Sequence, residues 1–143
     1  MQWRALTPDE ISRLPEARLG GALLGMLVAA ALICALAVLG AMFDFARLQA
    51  IGGRYMAAVA FIAVWSAAFV LMTLVRLPAT PTVASAGLLL WLAYRGLVAV
   101  TADGGWPLLV DLMGEAVLAA GFCGYMATGR RPNAYYRRRL PTD

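Results

Sequence analysis

Arg95, Asp111 and Glu115 are three charged residues set in stretches that are otherwise apolar. Arg95 lies in the segment 83–101, while Asp111 and Glu115 lie in the next, 107–128, four residues apart and so on one helix face. If the two segments fold back on each other through Ala102-Asp103-Gly104-Gly105, a rise of about 1.5 Å per residue places Arg95 roughly 9 Å from the turn end of the hairpin. The same rise places Asp111 at about 6–8 Å and Glu115 at about 12–14 Å. A guanidinium facing two carboxylates in an apolar setting has two uses. Arg95 can pair with Glu115, the deeper of the two acids, and fix the register of the hairpin. Alternatively, because two acids face one base, the surplus carboxylate can be desolvated and hold a proton or bind a cation. Asp111 is the nearer of the two acids to the end of the hairpin, where water or Arg54 can reach it.

The remaining reactive side chains are few, and that excludes whole classes of chemistry. Histidine is absent and every basic residue is an arginine, which removes bis-histidine haem ligation, ordinary zinc and copper sites, and histidine-based triads. Ser12, Ser66 and Ser85 have no histidine or lysine to act as base, as an intramembrane serine protease requires. Cys34 and Cys123 sit in separate apolar segments at depths that differ by more than about 10 Å, too far apart to bridge. They are expected to be buried, inert thiols. Four-span proteins that make disulfides with quinones need cysteine pairs, and small multidrug transporters need a glutamate in the first span; this chain has neither. No metal, cofactor or catalytic residue is therefore expected.

The elements that must position these charges follow from composition. The chain has 143 residues, of which 62% are hydrophobic and 14% charged, and a mean hydropathy of +0.75. That is more apolar surface than one soluble core of this size can hide. The expected fold is all-α, an integral membrane four-helix bundle with spans at about 19–42, 55–76, 83–101 and 107–128, each able to cross a hydrocarbon layer of about 30 Å. On the first span Gly21, Gly25 and Ala29 recur every four residues, and on the last Ala116, Ala120 and Gly124 do the same. Such lines let helix backbones approach closely in lipid, here against each other or against a partner's helix. Between the first two spans, Asp44, Arg47 and Arg54 are too dense a set of charges for the core, with Gly52-Gly53 as a flexible joint. Pro78 and Pro81 stop one helix and restart the next.

The two ends read as flanking segments, 1–18 and 129–143, around a transmembrane domain at 19–128. Residues 1–18 lack the basic lead into an apolar run that marks a cleavable signal. Thr7, Pro8 and Glu10 instead make a helix start of N-cap, first-turn proline and capping glutamate. With Ile11 and Leu14 on one side, the expectation is a short amphipathic helix at the membrane surface, stopped near Pro15. In the tail, Arg130, Arg131, Arg137, Arg138 and Arg139 with Tyr135 and Tyr136 are expected at the headgroups, as topology anchors and contacts for anionic phospholipid. Nucleic acid is not an expected partner, because the basic run is short and adjoins the bilayer. Arg4, Arg13, Arg18, Arg76 and the five tail arginines would lie on one side, against Arg47 and Arg54 on the other. Nine against two places both termini in the cytoplasm.

Leu19-Gly20-Gly21-Ala22-Leu23 at the start of the first span, and Tyr125, Gly129, Arg131 and Tyr136 at the end of the last, resemble the corresponding stretches of a family of small four-helix bacterial inner-membrane proteins, a domain of unknown function. Ala22 stands where that family has tryptophan, glycine stands for its serine, and Pro132-Asn133 for its Val-Lys pair. The resemblance implies a four-helix fold and a bacterial inner-membrane location, and no activity. Two functions then fit the residues. One is a non-catalytic accessory or scaffold subunit of a larger membrane complex. The other is a small transporter or proton- or ion-conducting element that works as a homo-oligomer around Arg95, Asp111 and Glu115.

Overall fold

The computed structural model describes residues 3–101 and 105–142; the turn expected at Ala102-Asp103-Gly104 lies outside the described residues. In chain order the elements are β1 (Trp3–Ala5), α1 (Pro8–Arg13), a 3-10 turn over Pro15–Ala17, α2 (Gly21–Phe43), α3 (Phe45–Ile51), α4 (Gly53–Leu74), α5 (Thr80–Thr101), α6 (Gly105–Thr128), α7 (Arg130–Arg137) and β2 (Arg139–Pro141). The fold is all-α apart from the two short strands. Four helices, α2, α4, α5 and α6, are long and apolar enough to cross a membrane, and they cover the four stretches expected from the sequence. The contacts gather these elements into two compact units, one of residues 19–77 and one that joins residues 3–18 to 78–142. The two ends thus belong to one unit with the last two long helices, rather than standing apart as flanking segments.

In the unit 19–77, α2 packs on α4. The buried residues of α2 are Leu23, Leu27 and Ala30, and those of α4 are Ser66, Phe69 and Thr73. Each set follows the three-to-four spacing of one helix face. Trp65 stacks on Phe69 with ring centroids 6.1 Å apart. The buried stripe of α2 is not the expected small-residue line, because Gly25 and Ala29 are exposed. Gly21 has a separate duty: its φ of 55° at the start of α2 is one that an L side chain occupies only with strain. The 43–54 connection, expected as a charged loop, is largely helix α3. Phe45, Ala46, Leu48, Ala50 and Ile51 are adequate helix formers, and Gly52 with φ 122° makes the break before α4.

In the second unit α5 packs on α6, and the two chain ends meet to form a cap. β1 and β2 pair antiparallel, Trp3 opposite Pro141 and Ala5 opposite Arg139. The next residue extends the ladder, with the Leu6 amide donating to the Arg138 carbonyl at 2.8 Å. The start of α1 is the expected capping box. The Glu10 amide donates to Thr7 Oγ1 at 3.4 Å and the Thr7 amide donates to Glu10 Oε2 at 2.9 Å. Its apolar side is engaged within the protein: Ile11 and Leu14 pack against a core of Leu6, Ala134 and Leu140. The expectation of a membrane-surface helix did not include this packing against the other end of the chain. A six-residue helix that is offered a protein core buries its few apolar groups there.

Candidate functional site in the α5–α6 hairpin

Of the three charged residues on these helices, the fold brings two together. Arg95, on the second turn of α5 from its far end, presents the side of its guanidinium to Glu115 on α6. Nε donates to Glu115 Oε1 at 3.0 Å and to Oε2 at 3.2 Å, and Nη2 lies 2.9 Å from Oε1. The depth difference expected between the two positions is small enough for the long arginine side chain to span. A third donor, not foreseen from the sequence, completes the set. Trp91 Nε1 donates to Glu115 Oε2 at 2.9 Å, and its ring lies against Tyr94 with centroids 5.8 Å apart. Trp91 precedes Arg95 by four residues and so shares its helix face, the signal that could have identified it. Both oxygens of Glu115 are thus occupied by N–H donors, which is what a carboxylate removed from water needs. Both partners of the pair retain partial exposure, 23% for Arg95 and 31% for Glu115. Asp111, one turn nearer the 102–104 end, is exposed and forms no ion pair among the described residues.

The small residues of α6 do not line its contact with α5. Ala116, Ala120 and Gly124 are exposed, whereas Ala119 and Met126 are the buried ones. A Cβ added to Gly124 or to Gly25 would meet no heavy atom within 4 Å, so the close approach expected at these glycines is absent among the described residues. Gly129 is the opposite case. An added Cβ there would collide with the Tyr125 carbonyl oxygen and press on Pro132 Cδ at 3.1 Å. The elbow from α6 into α7 therefore demands glycine.

The tail residues expected at lipid headgroups are mostly engaged within the cap. Tyr135 and Tyr136 are buried and meet edge to face, with centroids 5.0 Å apart; their placement in a headgroup belt is corrected. Adjacent tyrosines on a helix this short reach the cap interior because α7 turns back over the 3-10 turn. Arg131 donates to the carbonyls of Pro15 and Arg18, each at 3.1 Å. Arg139 lies over the Trp3 ring, 4.7 Å from its centroid, a cation–π contact set up by the strand pairing. Arg130 and Arg138 are exposed. At the centre is Asn133, which is fully buried. Its Nδ2 donates to the carbonyls of Ala127 at 3.0 Å and Gly129 at 2.9 Å, and its Oδ1 accepts from Arg137 at 3.3 Å and Arg139 at 3.1 Å. It thereby satisfies the Ala127 carbonyl near the end of α6 and adds a second donor to the Gly129 carbonyl, which also accepts from the Asn133 amide at 3.3 Å.

Two groups of the cap titrate away from their ordinary values. The Thr7 amide, followed by the Arg4 guanidinium at 2.8 Å, holds the Glu10 carboxyl below 4.5. Burial, and then the charge of Arg139, push Arg137 below the usual guanidinium value. No family model matches this chain, and neither the curated proteins nor the solved structures compared with it give a match.

Proposed function

We propose that the chain is a non-catalytic, multi-pass membrane protein, and that it serves as an accessory or scaffold subunit of a larger assembly in a bacterial inner membrane. In this reading α2, α4, α5 and α6 all span, and the excess of arginine at one end holds both termini in the cytoplasm. The observation that carries it is an open face in each unit, at Gly25 on α2 and at Gly124 on α6. Two small-residue lines suited to close helix contact are left unused by the chain's own helix pairs and are flanked by exposed Leu32, Leu36, Val117 and Leu118. In lipid, such a face gains little from hydrocarbon and much from a second helix. The charge pair supports the same reading. Glu115 has its oxygens committed to three donors, so the pair reads as a brace for the hairpin rather than a carrier of protons. The resemblance at the two ends of the chain to a four-helix inner-membrane family agrees with the location.

Blue-native electrophoresis after mild solubilisation tests the assembly: the chain is expected in a complex much larger than itself. Migration as a homo-oligomer would favour the small conducting element around Arg95, Asp111 and Glu115, and migration as a monomer would sink both. Orientation is tested separately by labelling cysteines introduced as Gly104→Cys and Thr142→Cys in a variant without Cys34 and Cys123. An impermeant reagent should reach the first from outside and not the second. Equal protection of the two would overturn the four-span topology.

A further inference from the structure

A groove of about 330 Å³ opens between the start of α5 and the end of α6, lined by Thr82, Ser85, Ala86, Leu89 and Ala127, with Arg137 at its mouth. Of the tail arginines, Arg137 alone lines this groove. It donates to Asn133 Oδ1 at 3.3 Å and to Thr82 Oγ1 at 3.5 Å. Both acceptors are neutral, and Asn133 Oδ1 is shared with Arg139. Two guanidiniums therefore converge on one amide oxygen, and among the described residues no carboxylate bonds to either of them. A partly buried pair of cations without a counter-ion is a site that favours an anion. The remainder of the groove is of another kind: beyond the hydroxyls of Thr82 and Ser85 its wall is alkyl. It runs along α5 to Leu89, about 10 Å from Thr82. An anion-favouring mouth at one end and an apolar track at the other describe an amphiphile.

We propose that this groove seats one anionic phospholipid. Its phosphate lies on the Arg137 guanidinium and the Thr82 hydroxyl, and the root of one acyl chain lies along Ala86 and Leu89. The proposal rests on the reading that α5 and α6 span a membrane. It narrows the expected headgroup contacts from five arginines and two tyrosines to one arginine with a groove, because Arg131 is tied to carbonyls and both tyrosines are buried. The groove lies at the end of the hairpin that carries both termini, so the arginine count places it in the cytoplasmic leaflet, whose surface is negative. The lowered proton affinity of Arg137 agrees with a site that repels further positive charge.

Native mass spectrometry of the full chain in detergent tests this with phosphatidylglycerol, phosphatidylcholine and inorganic phosphate as probes. Four proteins are compared: the parent, Arg137→Gln, Arg130→Gln and Ala86→Phe. The parent should retain one phosphatidylglycerol in preference to phosphatidylcholine. Arg137→Gln should weaken phosphatidylglycerol about fivefold and leave phosphatidylcholine unchanged, while Arg130→Gln should bind as the parent does. Ala86→Phe fills the apolar track, leaves the Arg137 bonds in place and should weaken both lipids, so the proposal stays open to refutation even if Arg137→Gln disturbs the cap. Equal losses in Arg137→Gln and Arg130→Gln would show diffuse charge attraction and overturn the site. So would unchanged lipid binding in Ala86→Phe with full displacement by inorganic phosphate, which would point to a free-anion site. Carbonate extraction of membranes reports on the underlying reading by itself. A chain that washes off has no spans, whereas a chain that stays but shows no preference among lipids lacks only this site.

Discussion

Within a single unit, the α5–α6 hairpin and the terminal cap are built on opposite rules. The hairpin turns large apolar side chains outward, with Val100 87% exposed and Leu118 76%, while the cap hides Leu140 to 8% and Tyr136 to 2%. In the hairpin, the interior of the helix pair is where the ion pair of Arg95 and Glu115 sits, with a tryptophan donor added. In the cap, guanidiniums reach carbonyls, an amide oxygen and an aromatic face, and the apolar groups form a small core of the kind water drives together. The contrast is the one the proposed function requires, with the hairpin in hydrocarbon and the cap in water. Outward leucines carry no penalty in hydrocarbon, whereas polar groups there must find every partner inside the protein. A cap in water can leave Arg130 and Arg138 to the solvent.

The largest expected effect breaks the hairpin side of this contrast. Arg95→Leu or Glu115→Leu alone should cost about 3 kcal/mol, because the survivor is left without its partner in an apolar setting, and the double variant should cost less than the sum. Unfolding of the purified chain in mixed micelles, followed by helicity, measures the cycle. Additive losses would mean the pair is not coupled and the exposed side of the site is wet. Next is Asn133→Ala, which leaves the Ala127 carbonyl without its side-chain donor and two arginines without their shared acceptor. We expect a loss of about 2 to 3 kcal/mol, read by hydrogen exchange as loosening of α7 and the strands with α5 and α6 still protected. Loss of protection throughout would mean that cap and hairpin fold as one cooperative piece, and the contrast drawn between them would not extend to stability.

A smaller pair of effects sharpens the boundary between the two regions. Gly129→Ala should destabilise by about 1 to 3 kcal/mol, since its methyl would meet the Tyr125 carbonyl. Gly124→Ala, five residues earlier on an open face, should stay within about 0.5 kcal/mol for the isolated chain. Thermal melting of both variants decides it, and equal melting temperatures would show that the elbow yields. The same Gly124 face reports on assembly, where Gly124→Leu should strip a partner from the complex without unfolding the chain. The smallest effect is a dependence on pH in the cap. Glu10 has a lowered folded-state value, so its contribution is present above the ordinary carboxylate value near 4.5 and fades as the pH falls through the lower folded one. Trp3 fluorescence should report loosening of the β1–β2 pair below about pH 4.5, to a lesser extent in Glu10→Gln. A Glu10→Gln profile identical to the parent's would remove Glu10 as the cause.

Hydropathy and local backbone chemistry were enough for the sequence alone to determine the four long helices, the start of α1 and the placing of Arg95 within reach of the two acids of α6. Each depends on neighbours within a turn or two, or on depth along a regular helix: Thr7, Pro8 and Glu10 are contiguous, and the rise per residue converts position into depth. The tertiary structure alone decided where the ends go. Nothing local distinguishes an amphipathic helix that lies on a bilayer from one that covers Ala134 and Leu140. The partner residues are separated by more than a hundred positions, and β1 and β2 are each only three residues long. The same holds for Tyr135, Tyr136 and Asn133, whose polar atoms suggest exposure until the elbow at Gly129 folds α7 inward. It holds as well for Trp91, whose indole N–H became a third donor to Glu115 once α6 had packed against α5. A small-residue line reads the same in sequence whether it is used or left open, because its use depends on how closely a second backbone comes. At Gly25 and at Gly124, among the described residues, no heavy atom lies within 4 Å of where a Cβ would stand.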